Sequence, residues 1–160
     1  MSELMSALQK LAEHCLATQN MVVTAESCTG GGIGYHLTQL PGSSAWFDRG
    51  FITYSNASKI DCLDVPMDIL EAHGAVSQTV AISMANGALK HSNATLSVAV
   101  TGVAGPNGGS VDKPVGTVWI AWGAKEREAQ AKCFLFKGNR EAIRHQTIQS
   151  AVEGLIRLMP

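Results

Sequence analysis

MVVTAESCTGGGIGYHLTQLPG, residues 21–42, opens with an apolar, partly β-branched run, crosses a glycine-rich turn and enters a helical pattern that stops at Pro41-Gly42. It reads as a strand over 21–25, a loop over ESCTGGG and a helix over GIGYHLTQL (32–40), the repeating unit of α/β folds. A second strand of the same kind, TLSVAV (95–100), runs into TGVAGPNGGSVDKPVG (101–116), which is too rich in Gly and Pro for regular structure. A loop that long in a compact chain is usually functional. TVWIAWGA (117–124) and QAKCFLFK (130–137) then read as strands joined by the charged AKEREA, a hairpin or short meander too brief for a parallel crossover. The sheet is therefore expected to be mixed in direction.

Working outward, Leu4, Leu8, Leu11, Cys15 and Leu16 recur at helical spacing and predict an amphipathic helix over residues 3–18. AWFDRGFITY (45–54) has strand composition. Asn56 or Ser58 can cap a short helix ending at Leu63, Pro66 suits the first turn of another over 66–73 that Gly74 stops, and Ser77 can cap the mostly buried QTVAISMANGALKHS. Gly87 costs that helix about 1 kcal/mol relative to Ala, so close packing is expected there. Asn139 caps a final helix with Ile143, Ile148, Val152, Leu155 and Ile156 facing inward. The order α-β-α-β-α-α-α-β-β-β-α predicts a three-layer α/β/α fold around a mixed sheet, with one domain over residues 1–160.

Composition narrows the function. The chain has 160 residues, 46% hydrophobic and 16% charged, which excludes disorder, collagen and coiled coil. Twelve Lys and Arg against 13 Asp and Glu leave a formal charge of −1, so no global field draws nucleic acid or an anionic membrane, and a charged ligand must be met locally. The uncharged stretches Ser27–Phe47 and Ser92–Val111 are broken by Gly, Ser, Thr, Asn and Pro, and MSELMSALQK does not resemble a signal peptide. A cytoplasmic protein is expected. Cys15, Cys28, Cys62 and Cys133 form no CxxC and are read as reduced thiols. The five histidines have no metal-ligand spacing, so no metal is expected.

Ten of the 16 glycines fall in two clusters, Gly30–Gly34 with Gly42 and Gly102–Gly109 with Gly116, each after a strand. Ligands of open α/β sheets bind at the carboxyl ends of strands, so the two loops are expected to share a crevice with Thr101 at its mouth. Ser27 and Cys28 offer nucleophiles, and Thr29, Gly30 and Gly31 lie at a helix start whose free N–H groups suit a phosphate or an oxyanion. The same residues also fit a plain helix cap and turn. Neither GxGxxG nor GxxxxGK[ST] occurs, which weighs against dinucleotide oxidoreductases and P-loop enzymes. Tyr54 and Lys59 bring a phenol and an amine close together, in catalytic roles or with the lysine simply solvated. Arg140, in a helical first turn that favours acids, hints at an anionic ligand or serves a salt bridge to an exposed carboxylate, with Arg144 one turn further on.

TAESCTGG (24–31), GSSAWFDRGFITYSN (42–56), HGAVS (73–77), VTGVAGPNGGS (100–110) and KPVGTVW (113–119) together resemble the CinA C-terminal domain family over about residues 3–158. The resemblance implies an amidohydrolase that converts nicotinamide mononucleotide to nicotinate mononucleotide and ammonia in pyridine-nucleotide salvage, without a cofactor. It does not extend to the nucleotide-processing domain of longer family members. By the same resemblance Ser27 is the nucleophile and Tyr54 and Lys59 are its proton-handling partners. Ser44, Thr101 and Arg140 match substrate-site positions, and the loop with Gly102, Gly105 and Gly108 completes the pocket through backbone amides. The expected partner is the small mononucleotide, with no nucleic acid or membrane, in a homo-oligomer of two or more copies. The alternative is a nucleotide-binding or regulatory module that does no chemistry, and ammonia release separates the two.

Overall fold

A computed structural model describes residues 2–159. Helix α1 (Glu3–Thr18) is capped by the Ser2 hydroxyl, which accepts from the Met5 N–H at 3.1 Å, and it buries Leu4, Leu8, Leu11 and Cys15 on one stripe. There follow β1 (Val22–Glu26), α2 (Gly32–Leu37), a single 3-10 turn at Ser43–Ala45, β2 (Phe47–Ile52), α3 (Asn56–Leu63), α4 (Met67–His73) and α5 (Gln78–Lys90). The chain closes with β3 (Leu96–Gly102), β4 (Thr117–Ala124), β5 (Arg127–Leu135) and α6 (Arg140–Leu158). The five strands form one sheet in the order β2-β1-β3-β4-β5, parallel from β2 to β3 and antiparallel from β3 to β5.

Period-two alternation along the strands divides the core in two. Val22, Val98 and Ile120 face α1, α2 and α6, while Val23, Ala25, Ala99 and Ala121 face α3, α4 and α5. This is the expected α/β/α layering. On the second face alanines of the sheet meet Ala81, Ala85 and Ala88 of α5, small side chains that let the helix lie close. Gly87 belongs to the same tight seam, since a Cβ there would stand 2.0 Å from the Leu63 carbonyl oxygen. Full burial of a side chain such as Met84 or Leu63 contributes about 1.5–3 kcal/mol, more than the roughly 1 kcal/mol that glycine costs the helix.

Several boundaries move. Ser55, rather than Asn56 or Ser58, caps α3 by accepting from the Ser58 N–H at 3.1 Å. Pro66 is the cap of α4 and not its first residue. Helix α2 stops at Leu37, three residues short of the expected end. The connection expected over AKEREA is shorter, since the chain reverses over Lys125 and Glu126 alone. Glu126 takes the left-handed conformation (φ 64) that such a tight turn needs, and Arg127–Ala129 join β5. An edge strand with an exposed face accommodates those charges.

The topology also creates a cleft. From β1 the chain passes by α2 to β2 on one side, and from β3 it passes to β4 on the other. The carboxyl ends of β1 and β3, neighbours in the sheet, thus feed connections that diverge, which is the switch point where α/β sheets bind ligands. No helix among the described residues is long and apolar enough to cross a membrane.

Candidate active site

Ser27 is the first residue beyond β1. Its N–H donates to the Val100 carbonyl of β3 at 3.1 Å, and its own carbonyl accepts from the Gly30 N–H at 3.0 Å, closing a tight turn over residues 27–30. Gly30 (φ 58) and Gly31 (φ 101) then take left-handed conformations that side chains disfavour, which is why glycines stand there. The turn leaves the Ser27 side chain at the divergence between β1 and β3.

Lys59 meets it from the opposite wall. The residue sits in the first turns of α3 and is only 1% exposed, with its stem in the protein and its amine at the cleft. Nζ lies 3.1 Å from Ser27 Oγ, 2.8 Å from the Thr53 carbonyl and 3.3 Å from the Tyr54 carbonyl. No salt bridge to Lys59 forms among the described residues. Burial without a carboxylate holds the ammonium below its ordinary pKa of 10.5. A neutral amine has two hydrogens and one lone pair, and the two carbonyls can only accept. The charged amine can donate to all three oxygens; once it gives up a proton, the carbonyls can hold the two hydrogens that remain and leave the lone pair to the Ser27 hydroxyl.

Thr101, near the end of β3, donates its hydroxyl to the Ala75 carbonyl at 2.9 Å and so draws the α4–α5 connection to the site. Residues 102–109 form the next wall, and Arg140 at the start of α6 donates to the Gly105 carbonyl at 2.8 Å. Together these surround a cavity of about 290 Å³ lined by Ser27, Lys59, Tyr54, Thr101, the 102–109 loop and Arg140, near the lower end of small-molecule sites. A wider groove between α1 and α6 also holds a serine and a lysine, Ser6 and Lys10, but among the described residues no hydrogen bond joins them as one joins Ser27 and Lys59.

The structure thus brings together Ser27, Tyr54, Lys59, Thr101, Gly102, Gly105, Gly108 and Arg140. Within that group Tyr54 is arranged differently from expectation. Its carbonyl, not its phenol, meets Lys59, and the largely exposed phenol lies 3.4 Å from Arg140 Nη2. Thr29, Gly30 and Gly31 do not line the cavity, and the reading of an open helix start is corrected. The buried Glu26 carboxylate already accepts from the Thr29 hydroxyl at 2.6 Å and from the Ile33 and Gly34 N–H groups at 2.8 and 3.0 Å. An internal anion fills the place proposed for a ligand anion.

Ser44 is also remote. It precedes β2 near Phe47, which pairs with Val22 at the beginning of β1, whereas Ser27 follows the far end of that strand. Cys28 borders the cavity but packs in the core, where burial pushes its thiol up to about 12 and disfavours a thiolate nucleophile.

Arg144 does not reach the cavity. Its Nε and Nη2 donate to the Cys28 and Thr29 carbonyls at 3.2 and 3.0 Å, behind the Ser27 turn. Sequence reasoning missed this role and that of Glu26. Their signals were a lone carboxylate at the end of a buried strand and a second arginine one turn beyond Arg140. It also missed Asn56, Ala75 and Val76 as cavity wall. Ala75 and Val76 carry no chemical signal, because their contribution is backbone and shape.

Comparison with known proteins bears on the family and the fold. The family model described as CinA C-terminal domain matches residues 5–159. A Pseudomonas putida protein named nicotinamide-nucleotide amidohydrolase PncC is 52% identical over 149 residues, covering 93% of this chain and 92% of that one. The protein of the same name from Escherichia coli K12 is 45% identical over 154 residues, covering 96% and 93%. Among solved structures, the competence/damage inducible protein CihA of Agrobacterium tumefaciens superposes with a TM-score of 0.96 at 43% identity, covering 99% of this chain and 96% of that one.

Proposed function

This chain belongs to the CinA C-terminal domain family, and from that premise we propose that it hydrolyses the carboxamide of nicotinamide mononucleotide to nicotinate mononucleotide and ammonia. The observation that carries the mechanism is the 3.1 Å approach of Lys59 Nζ to Ser27 Oγ inside a buried, carboxylate-free pocket. Neutral Lys59 takes the Ser27 proton as Oγ attacks the carboxamide carbon, and the carbonyl oxygen becomes an oxyanion. The proton then passes from Lys59 to the departing nitrogen, the C–N bond breaks, and ammonia leaves an acyl ester on Ser27. Water attacks that ester with Lys59 again accepting a proton. Collapse passes the proton from Lys59 to Ser27 Oγ and releases the nicotinic acid, whose remaining carboxyl proton goes to solvent to leave the carboxylate.

Arg140 and Tyr54 stand at one wall of this cavity and supply the cation and hydroxyl for the nucleotide's polar end. Two of the five guanidinium N–H groups serve Gly105 and Tyr54, leaving the others for phosphate oxygens. The experiment is release of ammonia and nicotinate mononucleotide from nicotinamide mononucleotide by purified protein. Stoichiometric release supports the reading. Saturable binding with no ammonia overturns it in favour of a binding module.

A further inference from the structure

The turn that carries Ser27 is held from two sides by groups that never enter the cavity. From below, Glu26 is 1% exposed and spends both carboxylate oxygens on the turn and the helix start that follows it: Oε1 on the Thr29 hydroxyl and the Ile33 N–H, Oε2 on the Gly34 N–H. From the side, Arg144 of α6 binds the carbonyls of Cys28 and Thr29, the two central residues of the turn. A buried carboxylate is costly to maintain, and here it is satisfied by three donors, all within eight residues of it. Neither group is required to close the sheet. Both hold the Ser27 turn, Glu26 by tying Thr29 to the first turn of α2 and Arg144 by binding the Cys28 and Thr29 carbonyls.

We propose that Glu26 and Arg144 are positioning residues that fix the Ser27 turn so that Oγ stays within hydrogen-bond reach of Lys59 Nζ. The inference rests on the proposed amidohydrolase reading for its chemistry, but its geometry concerns only the Ser27–Lys59 pair. The Ser27 and Thr29 backbones have few alternatives while these bonds persist, because rotating the peptide that follows Cys28 or Thr29 breaks a bond to Arg144. Loss of the Thr29–Glu26 bond frees the far end of the turn. Misplacement of a nucleophile by about 1 Å costs roughly 100-fold in rate, so such support has catalytic weight without touching substrate. It also explains the spacing of the two arginines, since α6 uses Arg140 on the Gly105 loop and Arg144 on the Ser27 loop.

The test uses Arg144→Lys, which keeps a cation but loses the planar fork, and Glu26→Gln, which keeps the shape but replaces one acceptor oxygen by a donor. Two rates are measured in each variant and in the wild type: ammonia release from nicotinamide mononucleotide, and phosphonylation of Ser27 by a fluorophosphonate probe, followed by intact mass as fluoride leaves and the P–O bond forms. Variants are compared only where thermal unfolding remains cooperative, and Arg144→Met is the second variant if Glu26→Gln does not fold. Support is a fall of about 10- to 100-fold in both kcat and labelling rate with KM within about twofold. Labelling and kcat near wild type in folded variants overturn the proposal, as does a loss confined to KM. A wild type that labels but releases no ammonia overturns the amidohydrolase reading alone, and the labelling rates still decide the positioning role. A wild type that fails to label overturns the positioning role, since there is then no activated Ser27 to hold.

Discussion

Arg140 and Arg144 lie one helical turn apart on α6 and hold different loops, Arg140 the Gly105 carbonyl at 2.8 Å and Arg144 the Cys28 and Thr29 carbonyls at 3.2 and 3.0 Å. Only Arg140 lines the cavity. Its substitution by Ala is therefore expected to act mainly on KM, by about 1.5–3 kcal/mol for a lost charge-assisted hydrogen bond. The wild type should prefer nicotinamide mononucleotide to nicotinamide riboside, and Arg140→Ala should narrow that preference. Measurement of kcat/KM for both substrates in both proteins checks it, and an unchanged ratio in the variant removes Arg140 from phosphate binding.

Ser27→Ala should lower kcat by about a thousandfold or more while the fold persists, because nucleophile and base act as a unit. Cys28→Ala should remain active, since its thiol is buried in the core with its pKa pushed up to about 12. Steady-state assays of the two variants, each paired with a thermal melt, distinguish these roles. Full activity in Ser27→Ala would refute the nucleophile.

Lys59 must be neutral to accept a proton, so kcat/KM should rise with pH along a limb whose midpoint lies below 10.5, the direction in which burial moves this amine. Lys59→Arg keeps a charge that cannot be shed near neutral pH and should be nearly as inactive as Lys59→Ala. Stability follows the same sign. Between the folded pKa and 10.5 the unfolded chain binds more protons at this residue, so its contribution to stability rises with pH through that window and is least favourable below it. A pH–rate profile compared with urea melts across the same range checks both. A rate that falls through this window would contradict the assignment.

Gly87→Ala distinguishes helix propensity from packing. Propensity alone favours Ala by about 1 kcal/mol, but the new methyl would meet the Leu63 carbonyl at 2.0 Å, and forcing α3 from α5 should destabilise by about 1–3 kcal/mol. Urea unfolding of the variant gives the sign directly. A stabilised protein would show that the seam can relax.

Hydrophobic periodicity, helix caps and the two glycine-rich strand ends made the layers legible from the chain alone, because each depends on neighbours within a turn or a strand. Ser77 and Asn139 cap α5 and α6 as their sequence contexts require, and Ser27 and Thr101 follow or end strands that the apolar runs already mark. Only the family resemblance pairs Lys59 with Ser27; local pattern does not, because their 3.1 Å contact joins residues 32 apart through the register of β1 against β2 and the angle at which α3 leaves the sheet. The same holds for the helix start after Ser27. Its glycines and free amides looked open to a ligand until folding delivered Glu26 from the preceding strand to three donors around it. Local sequence encodes which groups are capable of binding or proton transfer. Which of them meet each other, and which are consumed internally, follows from strand register and helix packing, where a shift of one residue turns a side chain to the opposite face of the sheet.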